Sequence, residues 1–218
     1  MSDIDSDDQT MASKIPRDDA VRIVAAFDFD GTLTYRDTLI PFLWQVLGGF
    51  RLGLAFLASA RELAMYALGR ISNEEAKQRL IEAALKGKSR TALQRTAKDW
   101  IADIPLRQHM LERLKWHQES GHYCVMVSAS PDVYLEEMAK RLGFDALICT
   151  QLQVEAEGTL SGRFDTPNCW GKEKVRRLEE QLGPLDLIDL YAYGDSSGDF
   201  DMLDAARHAW FKGKPRGV

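Results

Sequence analysis

Cysteine is scarce in this chain and has no motif spacing. Cys124, Cys149 and Cys169 are the only three among 218 residues, odd in number, scattered, and without a CxxC step. That argues against a disulfide framework or a thiolate zinc site and fits reduced thiols in a reducing compartment. Cys124 and Cys149 fall in apolar, strand-like runs, where a thiol serves packing. Positive charge is not in surplus either. With 28 Lys and Arg against 33 Asp and Glu, a formal net charge of −5 gives no reason to expect nucleic-acid binding. Residues 1–20 lack the basic start and apolar stretch of an export signal. They carry Asp3, Asp5, Asp7, Asp8, Asp18 and Asp19 against Lys14 and Arg17, and read as a disordered acidic tail. A cytoplasmic location is the expectation. Beyond that tail there is no low-complexity segment, and no internal repeat. With 45% hydrophobic and 28% charged residues the chain reads as globular. Its length suits one full α/β core with an inserted subdomain better than two independent domains.

Strand-like and helical patterns alternate along the chain. Residues 21–27 form an apolar run broken only by Arg22, as expected for a buried parallel strand. Residues 38–103 read as helical, apolar in the first half and amphipathic in the second, with Ser72 and Ser89 as cap residues. A helix follows from Pro105 to about Gln118, then a strand over 122–127, then a helix to Leu142 with Pro131 in its first turn. Strands over 146–149, 187–193 and 208–211 and helices over 172–182 and 199–206 complete the pattern, with a hairpin at 152–164 around Glu157-Gly158. Such alternation predicts a parallel sheet with right-handed crossovers, whose ligands sit at the carboxyl ends of the strands.

Polar turns after three of these strands should therefore meet. The first is Asp28-Phe29-Asp30-Gly31-Thr32-Leu33-Thr34. Asp28 and Asp30, two residues apart at a strand end, point the same way, and Gly31 permits a sharp turn. Like charges that close call for a cation between them, and Mg2+ is the natural one. Gly194-Asp195-Ser196-Ser197-Gly198-Asp199 repeats the design. Asp195 would complete an oxygen ligand set, and Asp199 could hold the metal or an ordering water. Ser128 could offer its hydroxyl to a phosphoryl oxygen, with the N–H groups of Ala129 and Ser130 at a helix N-terminus that favours anions. Lys174 or Lys172 could supply a fixed positive charge, and spacing alone does not separate them.

These elements, in this order, resemble the haloacid dehalogenase superfamily of phosphatases over nearly all of the chain past residue 20. The resemblance implies an α/β fold, a Rossmann-like three-layer parallel sheet with an inserted all-helical cap. The core would span 21–37 and 105–218, and the cap 38–104. Asp28 would be the nucleophile that becomes an aspartyl phosphate. Asp30 would be the general acid and base, Ser128, Ala129 and Lys174 the phosphate-holding positions, and Asp28, Asp30, Asp195 and Asp199 the Mg2+ residues. Dehalogenating members lack a carboxylate two residues after the nucleophile, so Asp30 implies a phosphoric monoester hydrolase.

An insertion directly after the first motif resembles the phosphoserine-phosphatase-like branch, subfamily IB. Asp37 falls where phosphoserine phosphatases carry a carboxylate, usually Glu, that meets the substrate amine, while Gly198 stands where they carry Asn. The stretch from Cys169 through Trp170-Gly171-Lys172-Glu173-Lys174 to Gly183-Pro184-Leu185 is instead similar to phosphatidylglycerophosphatase C, which favours Lys174 over Lys172. Residues 51–103 hold ten Lys and Arg against six Asp and Glu. A basic, apolar cap suits a lipid phosphate such as phosphatidylglycerophosphate and peripheral contact with an anionic membrane. The 13 uncharged residues of 38–50 are short for a clean span, and Arg51 follows them. Phosphoserine or another small phosphorylated metabolite is the alternative substrate. A phospho-accepting regulatory domain is the non-enzymatic alternative.

Overall fold

The computed structural model describes residues 22–216; the acidic tail and Val21 lie outside them. Strand β1 (Arg22–Phe27) occupies the middle of a six-stranded sheet. Parallel neighbours are β2 (Tyr123–Pro131) on one side and β6 (Ile188–Gly194) on the other. Outside these lie β3 (Ala146–Thr150) and β7 (His208–Phe211), both parallel, and a short antiparallel β8 (Lys214–Pro215). Val24, Ala25, Ala26 and Phe27 are all fully buried, because alternate side chains enter two different cores. Ala25 and Phe27 face one core with α5 (Gln108–Glu119) and α6 (Asp132–Leu142), while Val24 and Ala26 face a second with α7 (Lys172–Leu182) and α8 (Phe200–Ala205). A continuous apolar run is what a strand covered on both faces requires. The result is the expected three-layer α/β sheet.

Between β1 and β2 the chain inserts α1 (Leu39–Ala58), α2 (Ala60–Ala67), α3 (Asn73–Leu85) and α4 (Arg90–Trp100) ahead of α5. Ser72 starts α3 with a capping box: its hydroxyl accepts from Glu75 N at 3.1 Å, and Glu75 accepts from Ser72 N at 2.8 Å. Ser89 accepts from Ala92 N at 3.4 Å to open α4. Helix α1 bends at Gly48, whose φ of 70° and ψ of 165° interrupt it. A small antiparallel hairpin, β4 (Leu152–Val154) and β5 (Leu160–Phe164), fastens the α3–α4 end. Gly87 N donates to Leu160 O at 2.8 Å, and Arg90 N to Gly158 O at 3.0 Å. The Arg90 guanidinium adds ion pairs to Asp132 at 2.7 Å and Glu136 at 2.8 Å on α6.

Two boundaries differ from expectation. Helix α5 begins at Gln108, not Pro105, because Arg107 N is drawn to Leu33 O at 2.8 Å beside the first acidic turn. Helix α6 begins at Asp132. Pro131 has a ψ of 145° and stays in the strand, so it precedes the helix instead of filling its first turn.

His117 of α5 is fully buried and exchanges hydrogen bonds with His122 at 2.7 Å and the Tyr193 hydroxyl at 2.8 Å. Burial, then the neighbouring His122, pushes its pKa from the usual 6.5 down to about 4. Between those values the unfolded chain binds a proton that the folded one refuses, so stability present above pH 6.5 is lost as pH falls toward 4. Urea midpoints measured across this range should fall more steeply for the wild type than for His117→Gln, which keeps hydrogen-bonding atoms but does not titrate.

Candidate active site

Three chain segments at the carboxyl edge of the sheet build the site. β1 delivers Asp28, whose N–H still donates to Tyr193 O at 2.9 Å in register with β6. The chain then turns through Gly31, with φ of 77°. A Cβ there would collide with the Asp195 carboxylate, so only glycine lets the two acidic turns interlock. Thr34 steadies the turn by accepting from Gly31 N at 3.0 Å.

From the other face, α7 sends in Lys174, which is almost wholly buried. Its ammonium donates to Asp28 Oδ1 at 2.7 Å, Asp199 Oδ1 at 2.6 Å and Val127 O at 2.9 Å. Lys172 is exposed, which separates the two candidates. Burial works against the Lys174 charge, but Asp28 and Asp199 outweigh it and raise its pKa above the usual range. Burial pushes Asp28 up to about 8; Lys174 opposes this and Asp199 adds to it. Asp199 is held below the usual carboxylate range in spite of burial, by Lys174 and by N–H groups of Ser196 and Asp195. Its second oxygen accepts from both of those N–H groups at 3.0 Å.

Asp28, Asp195 and Asp199 can bring one oxygen each within 4.8 Å of one another. One ammonium does not balance three carboxylates, and Asp195 Oδ1 is buried without a hydrogen-bond partner. An oxygen-rich cluster short of positive charge fits a hard divalent cation. Asp30 stands apart from this cluster. Its Oδ1 accepts from Thr38 N at 2.8 Å and Thr38 Oγ1 at 2.6 Å, and its Oδ2 from the Ser130 hydroxyl. These donors turn the carboxylate toward the start of α1, away from the ligand set in which it was expected. Burial, then the charge of Asp37, raises its pKa to about 6, against the pull of Ser130 and Thr38.

Ser128 is buried at the end of β2, and its hydroxyl accepts from Ser130 N at 3.1 Å. The register between β2 and β3 slips between Ser128 and Pro131. Ala129 and Ser130 therefore lie in a bulged strand end and not at the helix N-terminus expected for them. Together with Asp28, Asp30, Lys174 and Asp195 they line a cleft of about 750 Å³, whose other wall includes Leu39, Leu63 and Tyr66 of the insertion.

The sequence reading missed several residues here. Thr38 and Ser130 hold Asp30. Lys77 of α3 also lines the cleft and donates to Ala129 O and, at 3.3 Å, to Asn168 Oδ1. It is one of the ten Lys and Arg of residues 51–103. The signal was present: Lys77 lies three and four residues before buried Leu80 and Ile81, on the apolar stripe of its helix. Gly198, the departure from the phosphoserine phosphatase pattern, has its own cause. The Trp170 indole lies where its Cβ would be, and Gly171 N donates to Gly198 O at 2.8 Å.

Comparison with known proteins agrees with this architecture. The sequence matches the family described as haloacid dehalogenase-like hydrolase over residues 25–204. It is 36% identical over 200 residues to the protein CicA of Caulobacter vibrioides, covering 88% of each chain. It is 32% identical over 104 residues, 47% of this chain and 36% of the other, to a probable phosphatase of Mycobacterium tuberculosis. Among solved structures, a substrate-bound phosphoserine phosphatase complex superposes with a TM-score of 0.64 at 20% identity, over 87% of this chain and 85% of that one.

Gly198→Ala should push aside the Trp170 indole, which is half exposed and loses its seat against the Gly198 backbone. Thermal unfolding of the single variant should show a lowered midpoint. Adding Trp170→Ala should remove most of the further loss, giving a non-additive double-mutant cycle.

Proposed function

The chain belongs to the haloacid dehalogenase-like hydrolase family, and from that premise we propose that it is a Mg2+-dependent phosphomonoester hydrolase working through an aspartyl phosphate on Asp28. The observation that carries this is Lys174 at 2.7 Å from Asp28, beside Ser128 and the Asp28–Asp195–Asp199 cluster, at the floor of one cleft. Lys174 occupies Oδ1, so attack falls to Oδ2. That oxygen bonds to phosphorus as the ester P–O bond breaks, and Asp30 gives its proton to the departing alkoxide. Asp30 then takes a proton from water, whose oxygen displaces the Asp28 carboxylate and releases inorganic phosphate. The Ser128 hydroxyl can donate to a phosphoryl oxygen, and Lys174, whose three protons go to Asp28, Asp199 and Val127 O, supplies fixed positive charge beside it. When bound by Asp28 and Asp195, with Asp199 beside them, Mg2+ supplies positive charge against the phosphoryl group.

For the substrate we infer a lipid phosphate such as phosphatidylglycerophosphate, placing the chain in subfamily IB near phosphatidylglycerophosphatase C, at the cytoplasmic face of a membrane. Helix α1 supports this. It is long and apolar enough to cross a bilayer, and Trp44, Phe50, Leu54 and Leu57 are 60%, 82%, 51% and 73% exposed. The bend at Gly48 and the exposed Arg51, Arg61 and Arg70 suit lying on an anionic surface more than spanning it. A soluble phosphorylated amino acid is the second reading, favoured by Asp37 lining the cleft. Against it, Asp37 Oδ1 already accepts from Leu39 N, the first residue of α1, at 2.9 Å. A purely phospho-accepting regulatory domain needs neither Asp30 nor so large a covered cleft.

Asp28→Asn should abolish turnover and phosphoenzyme formation; aryl phosphate hydrolysis surviving in that variant, or in excess chelator, would rule out the mechanism. Asp30→Asn should slow phosphoryl transfer by roughly 10²–10⁴-fold. In single-turnover measurements the loss should be smaller for better leaving groups.

Anionic liposomes should bind the protein more than neutral ones, less so as salt is added, because exposed charges are screened over about 8 Å at physiological ionic strength. Replacing Phe50 and Leu57 with Ser, or Arg51, Arg61 and Arg70 with Gln, should weaken that binding and lipid-phosphate turnover together. Indifference to liposomes combined with efficient phosphoserine turnover would overturn the lipid assignment and leave the phosphatase assignment standing.

A further inference from the structure

Lys77 is a lysine without an acid. Its ammonium rests on two neutral acceptors, the Ala129 carbonyl and Asn168 Oδ1, and among the described residues no carboxylate forms an ion pair with it. Lys174, the other cleft lysine, has two carboxylates within 2.7 Å. Lys77 is half-buried on the cleft wall, and withdrawing an ammonium from water onto neutral oxygens alone is costly. Burial accordingly drives the Lys77 pKa down to about 8, although Asp30 and Asp37 pull it up. The arrangement is nonetheless built. Asn168 is itself buried and is held by Thr150 Oγ1 at 3.2 Å, while Thr150 also donates to Ala129 O at 2.8 Å. Both acceptors are thus fixed, and they fix the lysine. A cation placed at such cost in a cleft is satisfied when an anion arrives from outside.

Which part of a substrate that anion belongs to follows from position. The transferred phosphoryl is served at the Asp28 end by Lys174 and Ser128. Lys77 comes from the insertion, over Ala129 and within electrostatic reach of Asp30 and Asp37, the groups that face the leaving alcohol. We propose that Lys77 is a specificity-determining residue that reads a second negative charge on the leaving group, so that the preferred substrates are phosphomonoesters of an anionic alcohol. This rests on the phosphatase assignment above. A phosphodiester and a carboxylate would both supply the charge, and substrates of the two kinds distinguish them.

The test compares kcat/KM for three soluble substrates in wild type, Lys77→Met and Lys77→Arg. They are the deacylated head group of phosphatidylglycerophosphate, whose leaving group carries a phosphodiester, phosphoserine, whose leaving group carries a carboxylate, and glycerol 3-phosphate, whose leaving group is neutral. The wild type should favour at least one anionic-alcohol substrate over glycerol 3-phosphate, mainly through KM. In Lys77→Met that ratio should fall by about ten-fold or more, the scale of a lost hydrogen bond to a charged group. Lys77→Arg should restore most of it. The ratio is internal to each variant, so a general loss of folded protein does not move it. A preference for the phosphodiester or for the carboxylate identifies the charge that is read. A wild type that hydrolyses all three without preference, or a preference untouched in Lys77→Met, overturns this inference alone. A wild type that hydrolyses no phosphomonoester, aryl phosphate included, overturns the phosphatase assignment and this inference with it.

Discussion

One buried ammonium keeps two acidic turns in the same place. Asp28 follows β1 and Asp199 lies in the turn between β6 and α8, and the two would repel each other at close range. Lys174, at 2.7 and 2.6 Å, is the common partner that lets both be buried. The cost is high, and the rest of the edge is arranged to meet it. Gly31 removes the side chain that would keep Asp195 away, Asp199 is tied by N–H groups of its own turn, and Val127 O takes the last Lys174 proton. Replacing the lysine would leave two carboxylates facing each other in an interior that poorly tolerates one. The site and the packing beneath it therefore depend on the same contact.

The fold was legible because buried parallel strands announce themselves as unbroken apolar runs. Helix α7 and strand β7 fall on the expected residues. The misjudged boundaries share a cause. The start of α5 is set by Arg107 reaching Leu33, and the end of β2 by a bulge against β3. Both are long-range hydrogen bonds that no local pattern carries. The convergence of Asp28, Ser128, Lys174, Asp195 and Asp199 could be read from motif order. That Asp30 turns to Thr38 and Ser130 could not, since those donors are brought to it by helix α1 and by the neighbouring strand. The place of Lys77 is legible in its helix, where it precedes buried Leu80 and Ile81, but not in the charge count of the insertion.

The insertion is two structures of different character. Helices α3 and α4 carry the capped starts, the ion pair of Arg90 with α6, and the contacts with the hairpin. Helices α1 and α2 carry most of the exposed apolar surface. Their first turn is nevertheless anchored at the site, through Thr38 and through Phe42 packed on Tyr134 at 4.8 Å. Helix α1 buries Leu39, Phe42, Leu43, Leu52 and Ala55 on one face and exposes the other, which differs from an ordinary core helix covered all round.

The fastening of α3 and α4 sets how firmly one wall of the cleft is held. With Gly87, Lys88 and Arg90 stitched to the hairpin, that half of the roof cannot lift without breaking several backbone hydrogen bonds at once. The ammonium of Lys77 therefore stands on a wall held by main-chain bonds, while the opposite wall is carried by α1, which departs from helical geometry at Gly48.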